Sequence, residues 1–369
     1  MENKVVLHVM GMESSKYGGI ERFNVALSKA LLEKGIHSVF VYESEPANPR
    51  FIEDLKAVEA EIFVSNSRQR PFRFCRDFVR LLKKFHPILV HAHFTKARFY
   101  AIPIAYCYGV RKLFFTIHSR MDPKDEIKRP TRLWYSMANK IANVIGVSDD
   151  IASTYTDNWP KATVRRIYLG VDPICGDRGV SRARLGIAAN QMVLLTIANF
   201  NHIKGLDVLC RSVKVLKDRG QWNDNVSLYI VGQPDADIED LMILVETLHI
   251  ENEVMMVGIS NEIPDYLVSA DLYLQTSRSE GLPLALMEAA SASLPLIGTK
   301  VGGIPEIVKD GCNGLLVESE NENKIADAIG MLMHDESLRR KYGEQSRKVY
   351  QEAFCVTTGV ERTIDYYGI

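Results

Sequence analysis

Residues 272–290 read LYLQTSRSEGLPLALMEAA, an apolar run followed by a polar loop and an apolar helical segment. The first four residues predict a buried β-strand, and Pro283 suits the first position of the following helix. The free amides of residues 281–284 are then expected to face the carboxyl end of that strand. Such amides, together with the helix dipole, favour an anion, so this stretch predicts a phosphate site.

The same alternation of strand-like and helix-like segments runs through the whole chain. Strands are predicted at 5–10, 38–42, 88–91, 113–117, 144–147, 193–198, 228–231, 254–257, 272–275, 296–298 and 314–317, with helices between them. Strands that alternate with helices form parallel sheets covered by helices on both faces. The fold class is therefore predicted as α/β, with two doubly wound units.

Length and charge both favour two domains. A chain of 369 residues exceeds what one core usually organises. Its net charge of -1 argues against a dedicated nucleic-acid binder, yet residues 1–175 carry +9 and residues 176–369 carry -10. We predict a first domain at 1–172, a linker at 173–190, a second domain at 191–345, and a helical segment at 346–369 that returns to the first domain.

Cysteine usage and hydropathy bear on the compartment. The 6 cysteines are scattered without metal-ligand spacing, which is typical of reduced thiols in a cytosol. No run resembles a secretory signal or reaches the ~18–20 apolar residues that span a bilayer. The sequence predicts a cytoplasmic protein whose membrane contact, if any, is peripheral.

Two glutamates flank the start of the predicted helix. Glu280 and Glu288 are eight residues apart, roughly 12 Å along a helix. Glycosidase carboxyl pairs lie about 5–9.5 Å apart, so the spacing disfavours hydrolysis. It suits an elongated ligand with a sugar at one end, a ribose at the other and a diphosphate between them. The alternative is a solvated helix face.

A glycine loop follows the first predicted strand. Gly18 and Gly19, within residues 15–21, would let a ligand approach the backbone ahead of a helix. The loop matches neither the dinucleotide-binding fingerprint nor the phosphate loop of nucleoside triphosphatases. An ordinary turn is the alternative.

The segment SEGLPLALMEAA (279–290) followed by GTKVGGIPEIVKDGCNGLLV (298–317) resembles the family-4 retaining glycosyltransferases. The resemblance extends over nearly the whole chain. It implies the GT-B fold, in which two Rossmann-like domains face a central cleft. It also implies a nucleotide-sugar donor, UDP- or GDP-linked, and no required metal.

The resemblance implies a role for each matching residue of the second domain. Glu288 would bind the ribose, Glu280 the donor sugar, and the amides of Gly281 and Leu282 the distal phosphate. Lys204 would neutralise the departing diphosphate.

One donor-site position departs from the family pattern. Asn199 stands where an arginine is common in the family, so one cation of the donor site is missing. Arg278 or a basic residue of the first domain is a candidate replacement.

In the first domain the resemblance assigns Gly18 and Gly19 to the donor phosphates and His118 to the donor sugar. His118, Lys204 and Glu280 form the predicted catalytic set. His91 and His93 have a spacing that invites a metal, but the sequence offers no third ligand nearby. We therefore expect no metal, and we place His93 on the acceptor side.

Basic and aromatic residues alternate in a helical segment at 68–85. Phe74, Phe78 and Phe85 recur at helical spacing and predict a buried stripe. The basic flank is either solvated or touches anionic lipid.

The resemblance implies a hexosyl-transferring, retaining enzyme whose acceptor is a sugar or lipid-linked sugar. The family's usual setting is bacterial cell-surface polysaccharide, lipopolysaccharide or glycolipid synthesis, at the cytoplasmic face of the inner membrane where the enzyme is peripheral. The alternatives are a GT-B nucleotide-sugar epimerase or synthase, and a non-catalytic nucleotide-sugar-binding protein of an assembly complex.

Overall fold

The computed structural model describes residues 4–14, 17–119, 129–235 and 237–369. The chain forms two compact units, one combining Met1–Val171 with Val356–Ile369 and the other comprising Asp172–Cys355. None of the described helices is both long and apolar enough to cross a membrane.

The described part of the first unit contains a parallel sheet of seven strands in the order β3-β2-β1-β4-β5-β6-β7. The strands are β1 (Lys4–Val9), β2 (Ile36–Tyr42), β3 (Glu61–Val64), β4 (Leu89–Ala92), β5 (Lys112–Ile117), β6 (Asn143–Gly146) and β7 (Val164–Arg166). The central strands are buried nearly throughout, as their apolar runs predict. The edge strands β3 and β7 were not predicted, because they are short and largely exposed.

Helices cover this sheet. They are α1 (Gly19–Glu33), α2 (Pro49–Ala57), α3 (Pro71–Phe85), α4 (Thr95–Tyr108), α5 (Arg129–Ile141), α6 (Asp149–Asn158) and, from the end of the chain, α15 (Val356–Tyr367). In α3 the predicted apolar stripe is buried, with Phe74 and Phe78 each 1% exposed. Phe72, on the same helix, is 90% exposed.

The second unit contains a parallel sheet of six strands in its described residues, in the order β10-β9-β8-β11-β12-β13. The strands are β8 (Met192–Ile197), β9 (Val226–Val231), β10 (Val254–Gly258), β11 (Leu272–Gln275), β12 (Leu296–Thr299) and β13 (Gly314–Val317). The helices are α7 (Arg178–Leu185), α8 (Leu206–Asp218), α9 (Ile238–Thr247), α10 (Ile263–Ser269), α11 (Leu284–Ser291), α12 (Ile304–Ile307), α13 (Glu322–His334) and α14 (Glu336–Val349). The two sheets confirm the predicted α/β class with two doubly wound units.

The segment 173–190, which was predicted to be a linker, is folded into the second unit. It contains α7, which is held within the second unit by Arg182, a side chain only 5% exposed. Arg182 donates to the Ser269 carbonyl at 2.9 Å and to the Asp271 carboxylate at 3.0 Å. Burying a cation among acceptors fixes the helix, so the irregular sequence is not a free connection.

The return of the chain to the first unit begins at Val356, ten residues later than predicted. The Val356 amide donates to the Val171 carbonyl at 3.0 Å, which joins the two places where the chain changes unit. Gly359 packs so closely that a Cβ there would lie 2.3 Å from the Leu169 carbonyl oxygen.

Each sheet has a point where the strand order reverses, between β1 and β4 and between β8 and β11. Loops that leave the carboxyl ends of such strands diverge and open a crevice for ligands. The predicted site residues follow these strands, except His118, which follows β5.

Candidate functional site

The loops after β8 and β11 meet at the reversal point of the second unit. The Arg278 amide donates to the Ile203 carbonyl at 2.7 Å, and the Thr276 hydroxyl donates to the Gly205 carbonyl at 3.2 Å. Gly205 has a φ of +62°, and a Cβ there would lie 2.1 Å from the Thr276 carbonyl oxygen. Glycine at 205 is therefore required for the close approach of the two loops.

This approach brings two predicted catalytic residues together. The Lys204 ammonium lies 2.8 Å from Oε1 of Glu280, whose side chain is 8% exposed. The same oxygen accepts hydrogen bonds from Ser277 at 2.7 Å and Gln275 at 3.0 Å. Three donors on one carboxylate oxygen hold the buried Glu280 side chain in a single orientation.

Two further glycines seat the loop that carries Glu280. Gly302 has a φ of +52°, and a Cβ there would lie 1.9 Å from the Glu280 carbonyl oxygen. The Gly303 amide donates to the Gly281 carbonyl at 2.9 Å. Residues 298–317, the second of the two motifs, thus contact the backbone of the first motif, residues 279–290, and position it.

The amides predicted to bind phosphate stand at the start of α11. Helix α11 begins at Leu284, and Pro283 precedes it as the N-cap instead of being its first residue. In the described part of the chain, the amides of Gly281 and Leu282 donate to no protein acceptor. They remain available to an anion.

Glu288 is half-buried on α11. Burial raises the pKa of Tyr273, and the carboxylates of Glu288 and Glu280 add to the rise. Both glutamates therefore lie close enough to act on one phenol, as expected if they serve a single ligand.

Arg278, the candidate to replace the cation that is missing at position 199, already has acidic partners. Arg278 makes a bidentate pair with Asp207, at 2.7 and 2.9 Å, and donates to Glu320. Its side chain is 14% exposed. Arg278 therefore ties loops of the second unit together, which disfavours the expectation that it replaces the arginine at position 199.

In the first unit the predicted glycine loop is braced by a carboxylate. Glu21 is 4% exposed and accepts hydrogen bonds from the Ser14 hydroxyl at 2.9 Å and the Gly18 amide at 3.1 Å. The amides of Gly19 and its neighbours in the first turn of α1 have no intrahelical acceptor. Residues 15 and 16 of the predicted loop lie outside the described residues.

The first unit also gathers histidines from three strands. His118, directly after β5, has its Nε2 3.2 Å from Nδ1 of His93, and its ring stacks on Phe94 at 4.5 Å. Burial, together with the charge of Arg98, lowers the pKa of His118 to about 3. His118 is therefore neutral at physiological pH, so one of its ring nitrogens donates a hydrogen bond and the other accepts one.

The sequence analysis missed the third histidine beside His91 and His93. His8 pairs with His91 in the sheet, and the three residues can present ligand atoms within 4.8 Å of one another. Both ring nitrogens of His91 are occupied, by the hydroxyls of Tyr367 and Thr116. A metal would have to displace one of them. The sequence did contain one signal for this cluster, because His8 is a polar residue within the otherwise apolar run of the first strand.

Arg98 was also missed. It is 3% exposed on α4, its guanidinium lies 5.0 Å from the Tyr135 ring centre, and it forms no salt bridge with a carboxylate within the described ranges. A buried cation that has no acidic partner among the described residues is costly, which makes Arg98 an additional candidate site residue.

Comparison with known proteins agrees with this geometry. Residues 17–174 match the family "Glycosyltransferase Family 4", and residues 177–349 match "Glycosyl transferases group 1". The structure of Anabaena HepE in complex with UDP-glucose superposes with a TM-score of 0.84 at 20% identity, covering 99% of both chains. The chain therefore belongs to the family-4 glycosyltransferases and has the GT-B fold.

Curated relatives match over shorter segments. The N-acetyl-alpha-D-glucosaminyl L-malate synthase of Bacillus anthracis is 29% identical over 61% of this chain and 55% of its own length. A D-inositol 3-phosphate glycosyltransferase of Streptomyces avermitilis is 29% identical over 62% of this chain and 51% of its own length. The matched segments thus cover about half the length of these relatives.

Proposed function

We propose that this protein transfers a sugar, as a hexosyl group, from a nucleoside diphosphate to an acceptor hydroxyl with retention at the anomeric carbon. The observation that carries the proposal is the contact of Lys204 with Glu280 beside the unoccupied amides of Gly281 and Leu282. These groups provide a cation, a sugar-binding carboxylate and an anion-binding helix start at one place. A UDP-linked donor is favoured over a GDP-linked one, because the similar HepE structure contains UDP-glucose.

In this proposal Lys204 and the α11 amides stabilise the charge that develops on the diphosphate as the bond between C1 and the phosphate oxygen breaks. The acceptor oxygen forms its bond to C1 on the same face. The acceptor proton passes to the departing phosphate oxygen, which balances the reaction without a protein nucleophile. Glu288 binds the ribose hydroxyls and Glu280 those of the sugar.

Residues of the first unit are assigned to the sugar and the acceptor. His118 is neutral because its pKa is lowered to about 3, so it contacts the donor sugar as a hydrogen-bond partner and not as a cation. His93 fixes the orientation of His118 through their 3.2 Å contact and lies on the acceptor side. Gly19 presents its first-turn amide to the donor phosphates, and Gly18, whose amide is held by Glu21, lets the phosphates approach the backbone closely. We propose that no metal is required.

The site is tested by calorimetric titration with UDP and a panel of UDP- and GDP-sugars. Glu288→Ala should weaken UDP binding about tenfold or more, the equivalent of a lost charged hydrogen bond of ~1.5–3 kcal/mol. Glu239→Ala, which removes an exposed glutamate from the start of α9, is the matched control. Unchanged binding by Glu288→Ala would show that the ribose assignment is wrong.

The chemistry is tested by product analysis. Proton NMR of the product should show the donor's anomeric configuration, and transfer should persist in EDTA. Conversion of the donor without an acceptor would instead identify an epimerase. A non-catalytic nucleotide-sugar-binding role is the second candidate, because Asn199 lacks the common arginine and Arg278 is engaged elsewhere. Binding of UDP-sugar without turnover across acceptors would favour it.

The acceptor is proposed to be a sugar or lipid-linked sugar of cell-surface polysaccharide, lipopolysaccharide or glycolipid synthesis, reached from the cytoplasmic face of the membrane. Exposed Phe72 beside the cationic flank of α3 supports peripheral contact with anionic lipid. Asp77 partly neutralises this flank through Arg73 at 3.4 Å and Arg76 at 3.3 Å. Flotation with anionic vesicles tests the contact, and Phe72→Ser should reduce it.

A further inference from the structure

A cavity of about 1000 Å³ lies at the amino-terminal ends of the strands in the second unit. Its lining includes Met192 and Val226, the first residues of β8 and β9, and Pro295, which directly precedes β12. Lys204 and Glu280 stand beyond the carboxyl ends of the same sheet. A strand of six residues is roughly 20 Å long, so the cavity is separate from the donor site.

The lining of this cavity is strongly cationic. Its arginines are Arg178, Arg182, Arg339, Arg340 and Arg347. Its acidic residues are Asp271 and Glu336. Asp271 is already paired, at 2.6 Å with Arg178 and 3.0 Å with Arg182. The three arginines of α14 form no salt bridge with a carboxylate in the part of the chain that the structure describes.

Part of this charge has a structural role. Nη1 of Arg339 donates to the Leu332 and Met333 carbonyls at 2.6 and 2.8 Å, and Nη1 of Arg347 donates to the Ser291 carbonyl. These bonds satisfy the carboxyl ends of α13 and α11. The Nε and Nη2 groups of both arginines have no acceptor among the described residues.

Arg340 is exposed and donates no hydrogen bond to any described residue. It lies seven residues from Arg347, two turns along α14, so the two side chains share a face. Free guanidinium edges on one face of a helix match the geometry of phosphate oxygens.

We propose that this cavity binds a small phosphorylated sugar. Arg340 and Arg347 would hold the phosphate with their free edges. The side-chain amides of Asn190 and Asn223, which also line the cavity, can donate to and accept from sugar hydroxyls. The volume exceeds what a phosphate ion alone would fill, which favours a ligand that carries both parts.

The proposal is tested by calorimetric titration of the full chain at low salt with glucose 6-phosphate, inorganic phosphate and glucose as probes. Glucose 6-phosphate should bind, phosphate more weakly, and glucose not measurably. Arg340→Gln should weaken glucose 6-phosphate binding about tenfold, the loss expected for a charge-assisted hydrogen bond. Arg340 is exposed and makes no hydrogen bond or salt bridge with a described residue, so this variant should unfold at the parent temperature.

Two controls define the location. Lys348→Gln removes an exposed cation from another face of α14 and should leave binding unchanged. Lys204→Gln should also bind normally, because it alters only the donor site. The proposal is overturned if glucose 6-phosphate fails to bind at millimolar concentration, if Arg340→Gln binds like the parent, or if Lys204→Gln loses binding. In those cases the α14 arginines serve only to stabilise helix ends, or the probe occupies the donor site.

Discussion

Gly302→Ala is expected to damage the donor site through the backbone alone. The added Cβ would lie 1.9 Å from the Glu280 carbonyl oxygen, a backbone atom that cannot rotate away. The residue also has a φ of +52°, a left-handed conformation that costs alanine roughly 1–2 kcal/mol. Relief of the overlap requires the loop of Glu280 to move, which adds the ~1–3 kcal/mol typical of overpacking.

A matched substitution separates these two costs. Gly311 has a φ of +70° in the same unit, but a Cβ there would meet nothing within 4 Å. Gly311→Ala should therefore carry only the conformational cost. The two variants should differ by about 1–3 kcal/mol in the free energy of unfolding, or roughly 3–10 °C in melting temperature for a unit of this size.

The assay is scanning calorimetry of both variants, followed by titration with UDP. Gly302→Ala should melt at the lower temperature and lose UDP affinity, because displacing the loop moves the amides of Gly281 and Leu282 away from the phosphate. Gly311→Ala should keep the parent's affinity. Equal melting temperatures and equal affinities for the two variants would refute the steric role of Gly302.

Three further outcomes follow from single side chains. Burial lowers the pKa of His8 from 6.5 to about 3, so the unfolded chain binds the extra proton between these values. For His8 alone this contribution to stability is complete above about pH 6.5 and smaller by about 2 kcal/mol at pH 5. In urea titrations His8→Leu should reduce the acid loss by that amount and leave the part that comes from His91, His93 and His118, whose pKa values burial also lowers. His202→Gln, at an exposed position, should not change the loss. Arg278→Lys should lose the bidentate pair with Asp207 and about 2 kcal/mol of stability in thermal unfolding, and an unchanged melting temperature would contradict that role. Asn199→Arg should tighten UDP binding about tenfold by calorimetry, and no gain would mean that position 199 does not face the diphosphate.

The sequence predicted the strands that form a clear apolar run, including the half-buried edge strand β10, and failed for β3 and β7. All six strands of the second unit were predicted, because each is an apolar run. In the first unit β3 and β7 were missed, since edge strands such as Val164–Arg166 have one free side and need no apolar pattern. The sequence of α7 appeared irregular because its stability comes from one buried arginine, Arg182, and not from an apolar stripe.

In the site, too, residues of local sequence motifs could be predicted, whereas contacts between distant parts of the chain could not. Glu280, Glu288 and Lys204 belong to motifs with fixed spacing, and the structure brings Lys204 and Glu280 into contact. His8 was missed because its neighbour His91 is more than eighty residues away in sequence and only the sheet register brings them together. The engagement of Arg278 likewise depends on partners in other loops, which no local pattern reveals.

The first unit is discontinuous, because the second is inserted between residues 171 and 356. During synthesis the whole second unit is made before α15, so the earlier-made sheet must wait for that helix. Until then the Tyr367 hydroxyl is absent from His91 and the surface of Leu169 is uncovered. The unit whose synthesis begins first is therefore completed last. A stop codon near residue 356 would disable the unit made first while sparing the one made later.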